Sequence, residues 1–587
     1  MKNNKLNIFK GIKNCLNLIY HFDKKYLFLS IVMATIQGTL PSISLLISQR
    51  IINSMQVSSK SMEEILFLLG MYIIITISPS ILLSYYGFYK IQFNKNFGKH
   101  IEILLLEKVS KLKLQDFEND DTYDMINRAQ SQKGLNITML SDNIISVIRD
   151  SISIISLIAV LSQFKIWLII IVVVLPTLNS IYSVKLGKEQ YDVNVNRTWK
   201  DRKAWYIDYL LSKGYSYKEL VIFDLKNKLL DEFKSLKEDM ISQDMKIEKK
   251  YFFANIIYIL LDSILSSGIM VFILFQGFLK RILIGDVTTY IQAVQSIKDN
   301  IESLFSLFNT IIHDLFYTDF LFEFLEYDCK DSAIKNEHIS NEIETIEIVN
   351  LSYKYPNTSN YALKNINLKL EKNNPIAILG KNGSGKTTLL KILLGFYDDY
   401  EGEILINGKE LRNIKEQEYI NRVSCMFQDY IKYEASIREN VGMRESYEKD
   451  IDNKIEFILQ ETNLNKKIYE EEGLDTILGN WFGKKQLSMG EWQRIAISRA
   501  LLKNADLYIF DEPDSSLDAE AENGLLSLYR KTFEGKFGIF ITHNIPHVKK
   551  VTNNIIVLEN GEISESGDHN ELISKEGVYF NLFYSCE

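Results

Sequence analysis

From its N-terminus the chain alternates between long apolar blocks and charged stretches for a little over half its length. It then changes to short apolar runs broken by turns. Tyr26 to Gln49 and Ile65 to Tyr89 carry no charged residue. Ser151 to Phe164 is uncharged and continues the pattern begun at Asn143; Trp167 to Val184 follows after a short link at Lys165. Tyr251 to Leu279 contains Asp262 as its one charge, and a weaker block begins near Asp286 and runs as one helical pattern to about Glu326. A helix that crosses a bilayer needs roughly 20 apolar residues. The pattern therefore predicts an all-α transmembrane domain over 1–325 with six spans, at about 26–49, 65–89, 143–164, 167–187, 251–279 and 286–325. Buried helices of a soluble protein are the alternative, which several clean blocks of this length disfavour.

The links between spans 1–2, 3–4 and 5–6 are short, whereas the 2–3 and 4–5 links are long, charged and helical in pattern. Lys-rich long links and the basic stretch from Lys2 to Lys25 belong on the cytoplasmic side. That stretch has neither the short apolar core nor the cleavage site of a signal peptide. The tips of the long links, Asp116 to Gln130 and Lys213 to Phe223, are either contact segments or solvated helix ends. Pro41, Pro79 and Pro176 fall inside spans, where neighbouring helices satisfy the freed carbonyl groups. Asp262 is costly in mid-span. Asn255 and Ser266 share its face; if these groups only satisfy neighbouring helices, Arg149 is one candidate partner for Asp262. In the sixth span Thr288, Gln292, Gln295, Asp299, Glu302, Ser306, Asn309 and His313 recur every three or four residues. Such a stripe is expected to line a wet cavity, with Ile291, Val294, Ile301, Leu304 and Phe308 largely turned away.

Beyond Glu342, over 342–587, the pattern is that of an α/β domain. Pro375 to Leu379 reads as a buried strand, Gly380-Lys-Asn-Gly-Ser-Gly385-Lys386-Thr387 as a phosphate-binding loop, and Thr388 to Leu394 as the helix after it. Glycines let backbone N–H groups turn toward phosphate oxygens, and the helix start adds positive potential. Lys386 is placed for the β- and γ-phosphates, and Thr387 for a Mg²⁺ ion. A second strand, Leu507 to Phe510, ends in Asp511, a candidate Mg²⁺ ligand, and Glu512, which can polarise a water.

Bulk composition changes little in this picture. The mean hydropathy is near zero because the two halves cancel. A net charge of −8 over 587 residues argues against a nucleic-acid partner. The four cysteines, Cys15, Cys329, Cys425 and Cys586, are scattered, which argues against a disulfide framework or a zinc site and for reduced thiols on a cytosolic face. About 25 residues precede the first span, too few for a peptidase domain, so Cys15 is expected to be inert.

These residues resemble the ABC transporters, specifically exporter-type half-transporters, over essentially the whole chain. Leu487-Ser-Met-Gly-Glu-Trp-Gln-Arg494 is similar to the LSGGQ signature, and Asp511-Glu-Pro-Asp-Ser-Ser-Leu-Asp518 to the Walker B and D-loop segments. Gln428 resembles the Q-loop glutamine, His543 the switch histidine, and Tyr355, 25 residues before Gly380, the aromatic residue that stacks on adenine. The resemblance implies an ABC-type ATPase domain that binds ATP and Mg²⁺. Its nucleotide-binding residues would be Tyr355, Gly380, Asn382, Gly383, Ser384, Gly385, Lys386, Thr387, Thr388, Gln428, Ser488, Gly490, Glu491 and Asp518. Glu512, His543, Gln428 and Lys386 would carry catalysis, and Thr387, Gln428 and Asp511 would hold the metal. It also implies a dimer with ATP sandwiched between the loop of one subunit and the signature of the other. The two link tips would press on the ATPase domains.

One departure stands out: Met489 replaces the first signature glycine, where a side chain crowds the approach to phosphate. It makes an unlike partner the alternative to the favoured homodimer. Phe427 to Tyr433 together with Gly490-Glu-Trp-Gln493 is similar to exporters of ribosomally made, modified peptides. The expected function is ATP-driven export of a peptide or other amphipathic compound across the cell membrane. A multidrug or lipid exporter, an importer, and a membrane-tethered ATPase that gates or signals remain alternatives.

Overall fold

A computed structural model describes residues 8–57, 62–119, 122, 125–127, 129, 135–327, 337–339, 342–356, 358–443, 450–483, 485–513 and 519–585. The chain divides into two compact units. One takes in Met1–Lys111 and Asp124–Tyr327, the other Leu112–Tyr123 and Asp328–Glu587.

The first unit is helical throughout its described residues. A short amphipathic helix, α1 (Ile8–Phe22), precedes the long helices α2 (Lys24–Gln56), α3 (Met62–Val109), α5 (Leu135–Ser162), α6 (Ile166–Asn196), α9 (Leu225–Phe278) and α10 (Ile284–Glu326). Five of these are long and apolar enough to cross a membrane; α10, which carries Asp286, Lys298, Asp299 and Glu302 in its first half, is outside that group. At 1.5 Å per residue the 54-residue α9 is about 80 Å long, well beyond a hydrocarbon core of about 30 Å, so its first half lies outside the bilayer. Helix α7 (Thr198–Ser212) leads to the tip helix α8 (Tyr217–Ile222). There Leu220 is buried while Ile222 and Phe223 are exposed. Asp23 caps α2 by accepting from the amides of Lys25 and Tyr26.

Helix α10 packs along α2, α5 and α6. Its apolar side, with Ala293, Val294, Ile297 and Ile301, joins Leu157, Leu161, Leu168 and Val172 in one core. Cys15 is buried in α1, and burial pushes its thiol up to about 12, so it stays protonated.

The second unit contains two sheets. Strands β1 (Ile346–Tyr353), β2 (Leu363–Leu370), β4 (Glu401–Ile406) and β5 (Lys409–Glu410) form an antiparallel sheet in the order β2-β1-β4-β5. Strands β3 (Ile376–Leu379), β6 (Val423–Met426), β7 (Leu507–Asp511), β8 (Phe537–Ile541), β9 (Asn554–Glu559) and β10 (Glu562–Gly567) form the other, in the order β10-β9-β3-β8-β7-β6. All pairs in it are parallel except β9–β10. β3, β7 and β8 are buried along their whole length, as apolar runs covered on both faces must be. Helices α13 (Ile437–Gly442), α14 (Ile451–Glu461) and α15 (Met489–Leu502) enclose a separate apolar core that includes Leu459, Leu478 and Trp492.

The first link tip, α4 (Leu114–Glu118), belongs to this second unit, although it comes from the helical half of the sequence. Lys113 Nζ donates to Asp398 at 2.6 Å and Gln115 to Asp399 at 2.6 Å. Glu118 accepts from Lys391 at 2.7 Å and from the Tyr397 hydroxyl at 2.6 Å. Leu114 packs against the core that contains Tyr353 and Tyr397. Glu118 and the residues just before it are thus in built contact, while residues 120, 121, 123, 124, 128 and 130 of the 116–130 tip lie outside the described residues.

Candidate active site

The phosphate-loop candidate joins the buried end of β3 to α11 (Lys386–Leu393). Gly380, Gly383 and Gly385 have φ of 154°, 80° and 105°. A Cβ on Gly380 would meet the Leu558 carbonyl at 2.4 Å and Ser384 Oγ at 2.6 Å, so both conformation and space demand glycine there. The loop turns inward as a result. Ser384 Oγ is buried without a hydrogen-bond partner, a polar atom that suits an incoming ligand oxygen. Lys386 Nζ donates to the carbonyls of Gly380 at 2.7 Å and Lys381 at 3.2 Å, which holds the ammonium within the loop. Burial lowers its pKa, while Glu512 and Asp511 act in the opposite sense. Asn382 and Thr387 are exposed at the rim. Thr388 Oγ1 lies 3.0 Å from the hydroxyl of Tyr355, whose ring stands edge-on to Tyr353 and Tyr397.

Sheet order gathers the remaining groups. β3, β8, β7 and β6 are consecutive parallel neighbours, so their carboxyl ends open on one edge, where α/β sheets bind ligands. Asp511 and Glu512 end β7, Gln428 follows β6 and His543 follows β8. The Glu512 carboxylate accepts from Gln428 Nε2 at 2.7 Å, and its other oxygen lies 3.6 Å from His543 Nδ1. Glu512 is 11% exposed and His543 65%, so the histidine approaches from the solvent side. Asp511 is buried, and burial first, then the charge of Glu512, raises its pKa to about 6. The two adjacent carboxyl groups offer oxygen ligands of the kind a hard cation takes. Gln428 uses its N–H on Glu512, which leaves its carbonyl oxygen able to join them.

Signature residues make a second group at the start of α15. Ser488 caps that helix: its Oγ accepts from the Glu491 amide at 3.3 Å, and Glu491 accepts from the Ser488 amide at 2.7 Å and hydroxyl at 2.8 Å. Glu491 is thus committed to the cap, while Gly490 follows Met489 in the first turn. A helix start leaves its first N–H groups without intrahelical acceptors, ready for an anion. Asp518 lies outside the described residues.

Three contacts could not be read from motifs. Gln493 Nε2, buried, donates to the Pro513 carbonyl at 2.7 Å and so ties α15 to the strand end that carries Glu512. The Tyr430 hydroxyl reaches Met489. In the helical unit Lys298, 2% exposed, pairs with Asp262 at 2.6 Å. Arg149, one candidate partner of Asp262, instead binds its own neighbour Asp150 at 2.7 Å, and Ser303 donates to the other Asp150 oxygen. A cavity of about 380 Å³, lined by Phe396, Tyr419, Cys425 and Arg499, includes no residue of the 380–388 loop.

The ABC transporter family profile matches residues 363–515. The subtilin transport ATP-binding protein SpaT of Bacillus subtilis is 32% identical over 97% of this chain and 93% of its own length. The nisin transport ATP-binding protein NisT of Lactococcus lactis subsp. lactis is 32% identical over 98% of this chain and 96% of its own. A solved structure of a bacterial Atm1-family ABC exporter with ATP bound superposes with a TM-score of 0.75 over 95% of this chain and 98% of that one, at 19% identity. The chain therefore belongs to the ABC transporter family, as a multi-pass membrane exporter whose cytoplasmic ATPase domain binds nucleotide and hydrolyses ATP to drive transport.

Proposed function

We propose that two copies of this chain pair to export an amphipathic peptide across the cell membrane. ATP is held between the 380–388 loop of one subunit and Ser488–Gly490 of the other. Lys386 and the loop amides bind the phosphates, Tyr355 stacks on the base, and Ser384 gains a partner it otherwise lacks. Glu512 polarises the attacking water and His543 meets the terminal phosphate. A Mg²⁺ ion bound with the nucleotide, held by Thr387, Asp511 and Gln428, supplies neutralisation of phosphate charge. The observation that carries this reading is the convergence of Gln428 and His543 on the Glu512 carboxylate. Three groups from three strand ends meet at that carboxylate.

The peptide class is supported by the two relatives named for subtilin and nisin transport. The stripe on α10 agrees with it: Gln292, Gln295, Asp299, Glu302 and Ser306 are exposed in the single chain. The test uses purified protein in inside-out vesicles. A cationic amphipathic peptide should stimulate ATP turnover and accumulate inside, and Glu512→Gln should abolish both. Turnover with no accumulation of any cargo would instead indicate a tethered ATPase. Stimulation by lipid alone would favour a flippase, as in the lipid A-core flippase of Yersinia pestis, 26% identical over 82% of this chain.

A further inference from the structure

The segment after Gln428 is laced to the part of the chain that carries the signature. Leu478 N donates to the Ala435 carbonyl at 3.0 Å and Ile437 N to that of Thr476 at 3.1 Å. Glu434 accepts from the amide of Trp481. At the near end of this lacing stands Tyr430. Its ring packs against two apolar clusters at once, one containing Phe510 of β7 and the other Trp492 of α15. Its hydroxyl lies 3.1 Å from the Met489 carbonyl oxygen and 3.4 Å from Met489 Sδ. Met489 is the first residue of α15 and 55% exposed, and Tyr430 is the hydrogen-bonding side chain beside its thioether.

We propose that Tyr430 is a positioning residue that parks the Met489 side chain beside itself, leaving the Gly490 turn of α15 open to the nucleotide. The inference rests on the reading that Ser488–Gly490 face the partner subunit's ATP. A glycine at 489 would need no such restraint. A methionine has three rotatable bonds and sweeps the first turn unless its sulfur is held. The hydroxyl lies against both the carbonyl oxygen and the sulfur, and it is the sulfur contact that holds the side chain aside.

A mutant cycle tests this with full-length protein in lipid nanodiscs. Tyr430→Phe should lower ATP turnover about two- to tenfold, the ratio that one neutral hydrogen bond is worth, with a raised KM for ATP. Added to Met489→Gly, and measured against Met489→Gly alone, Tyr430→Phe should change turnover little. Met489→Leu keeps the size and the carbonyl contact but loses the sulfur; on an exposed site it leaves the fold intact, and it should resemble Tyr430→Phe. Equal losses from Tyr430→Phe in both backgrounds, or wild-type behaviour of Met489→Leu, would overturn the proposal. Ser488→Arg separates the underlying reading: if it leaves turnover unchanged, the signature does not face nucleotide and that reading fails first.

Discussion

Glu512 holds a left-handed backbone conformation, φ 48°, while its carboxylate takes a hydrogen bond from Gln428 and faces His543. A non-glycine residue adopts that conformation at a cost, and it does so where the chain must turn sharply from a buried strand to aim a side chain. Glu512→Gln keeps the shape and removes the base. Turnover should fall about 10²–10⁴-fold while ATP still binds, measured by phosphate release beside a fluorescent-nucleotide titration. Lys386→Ala should show the converse, weakened binding itself, since it removes the ammonium from the phosphate loop. Near-normal turnover in purified Glu512→Gln protein would remove Glu512 from its assigned role. At this scale the loop from Gly380 to Thr387 was legible because its mechanics are local: eight successive residues contain the turn, the cation and the helix start. Tyr430 and Met489 touch across 59 positions with no motif linking them, and only the fold brings them together.

At the scale of elements, α10 shows what periodicity can and cannot tell. The 3.6-residue repeat separated an exposed polar side, Gln292, Gln295, Asp299, Glu302 and Ser306, from buried Val294 and Ile301; of the other stripe members Thr288 and Asn309 are half-buried, and the His313 side chain lies outside what is described. Phe308, expected on the apolar side, is exposed. Periodicity could not identify the partner of Asp262, because Lys298 belongs to the buried side of α10 and reaches across to α9. Ser266 completes that group through contacts with both charges, and Tyr258 and Glu302 form a second bond between the same helices. Removing one member of a buried pair strands the other charge. Lys298→Met alone should therefore destabilise the protein toward the lower end of about 3–5 kcal/mol, since Asp262 is 24% exposed, seen as a lower Tm in detergent. Asp262→Leu with Lys298→Met should recover most of that loss; no recovery would show that the pair is not what holds α9 to α10. The exposed side has its own test. Single cysteines at Gln292, Gln295 and Asp299, in a background without the four native cysteines, should react with a water-soluble thiol reagent, and ATP or cargo should slow them. Reaction at Ile291 and Val294 instead would mean that the wet side of α10 is the opposite one.

For the whole molecule the deciding question is whether the second subunit is another copy. Each chain carries both halves of the proposed ATP site: a complete phosphate loop with Glu512 and His543, and a signature with Met489 in place of glycine. The two halves are separate groups within one ATPase unit, and closed two-fold symmetry is the simplest way to bring the loop of one copy to the signature of another. In an unlike pair one site commonly carries the degeneracy, and here the hydrolytic residues Lys386, Glu512 and His543 are all present, which favours the like pair. Asn382 is exposed on the loop rim and Met489 is exposed at the signature, so cysteines at these positions report their approach. With both substitutions in a Glu512→Gln background free of native cysteines, ATP should hold the pair closed, and an oxidant should then join two chains into a species of doubled mass. ADP should not support that bond, because the terminal phosphate is what the two halves share. If the purified chain hydrolyses ATP briskly and no ATP-dependent bond forms, the sandwich between like subunits is wrong. If the chain is poorly active and forms no bond until a second, different transporter subunit is supplied, the partner is unlike and Met489 marks the altered site.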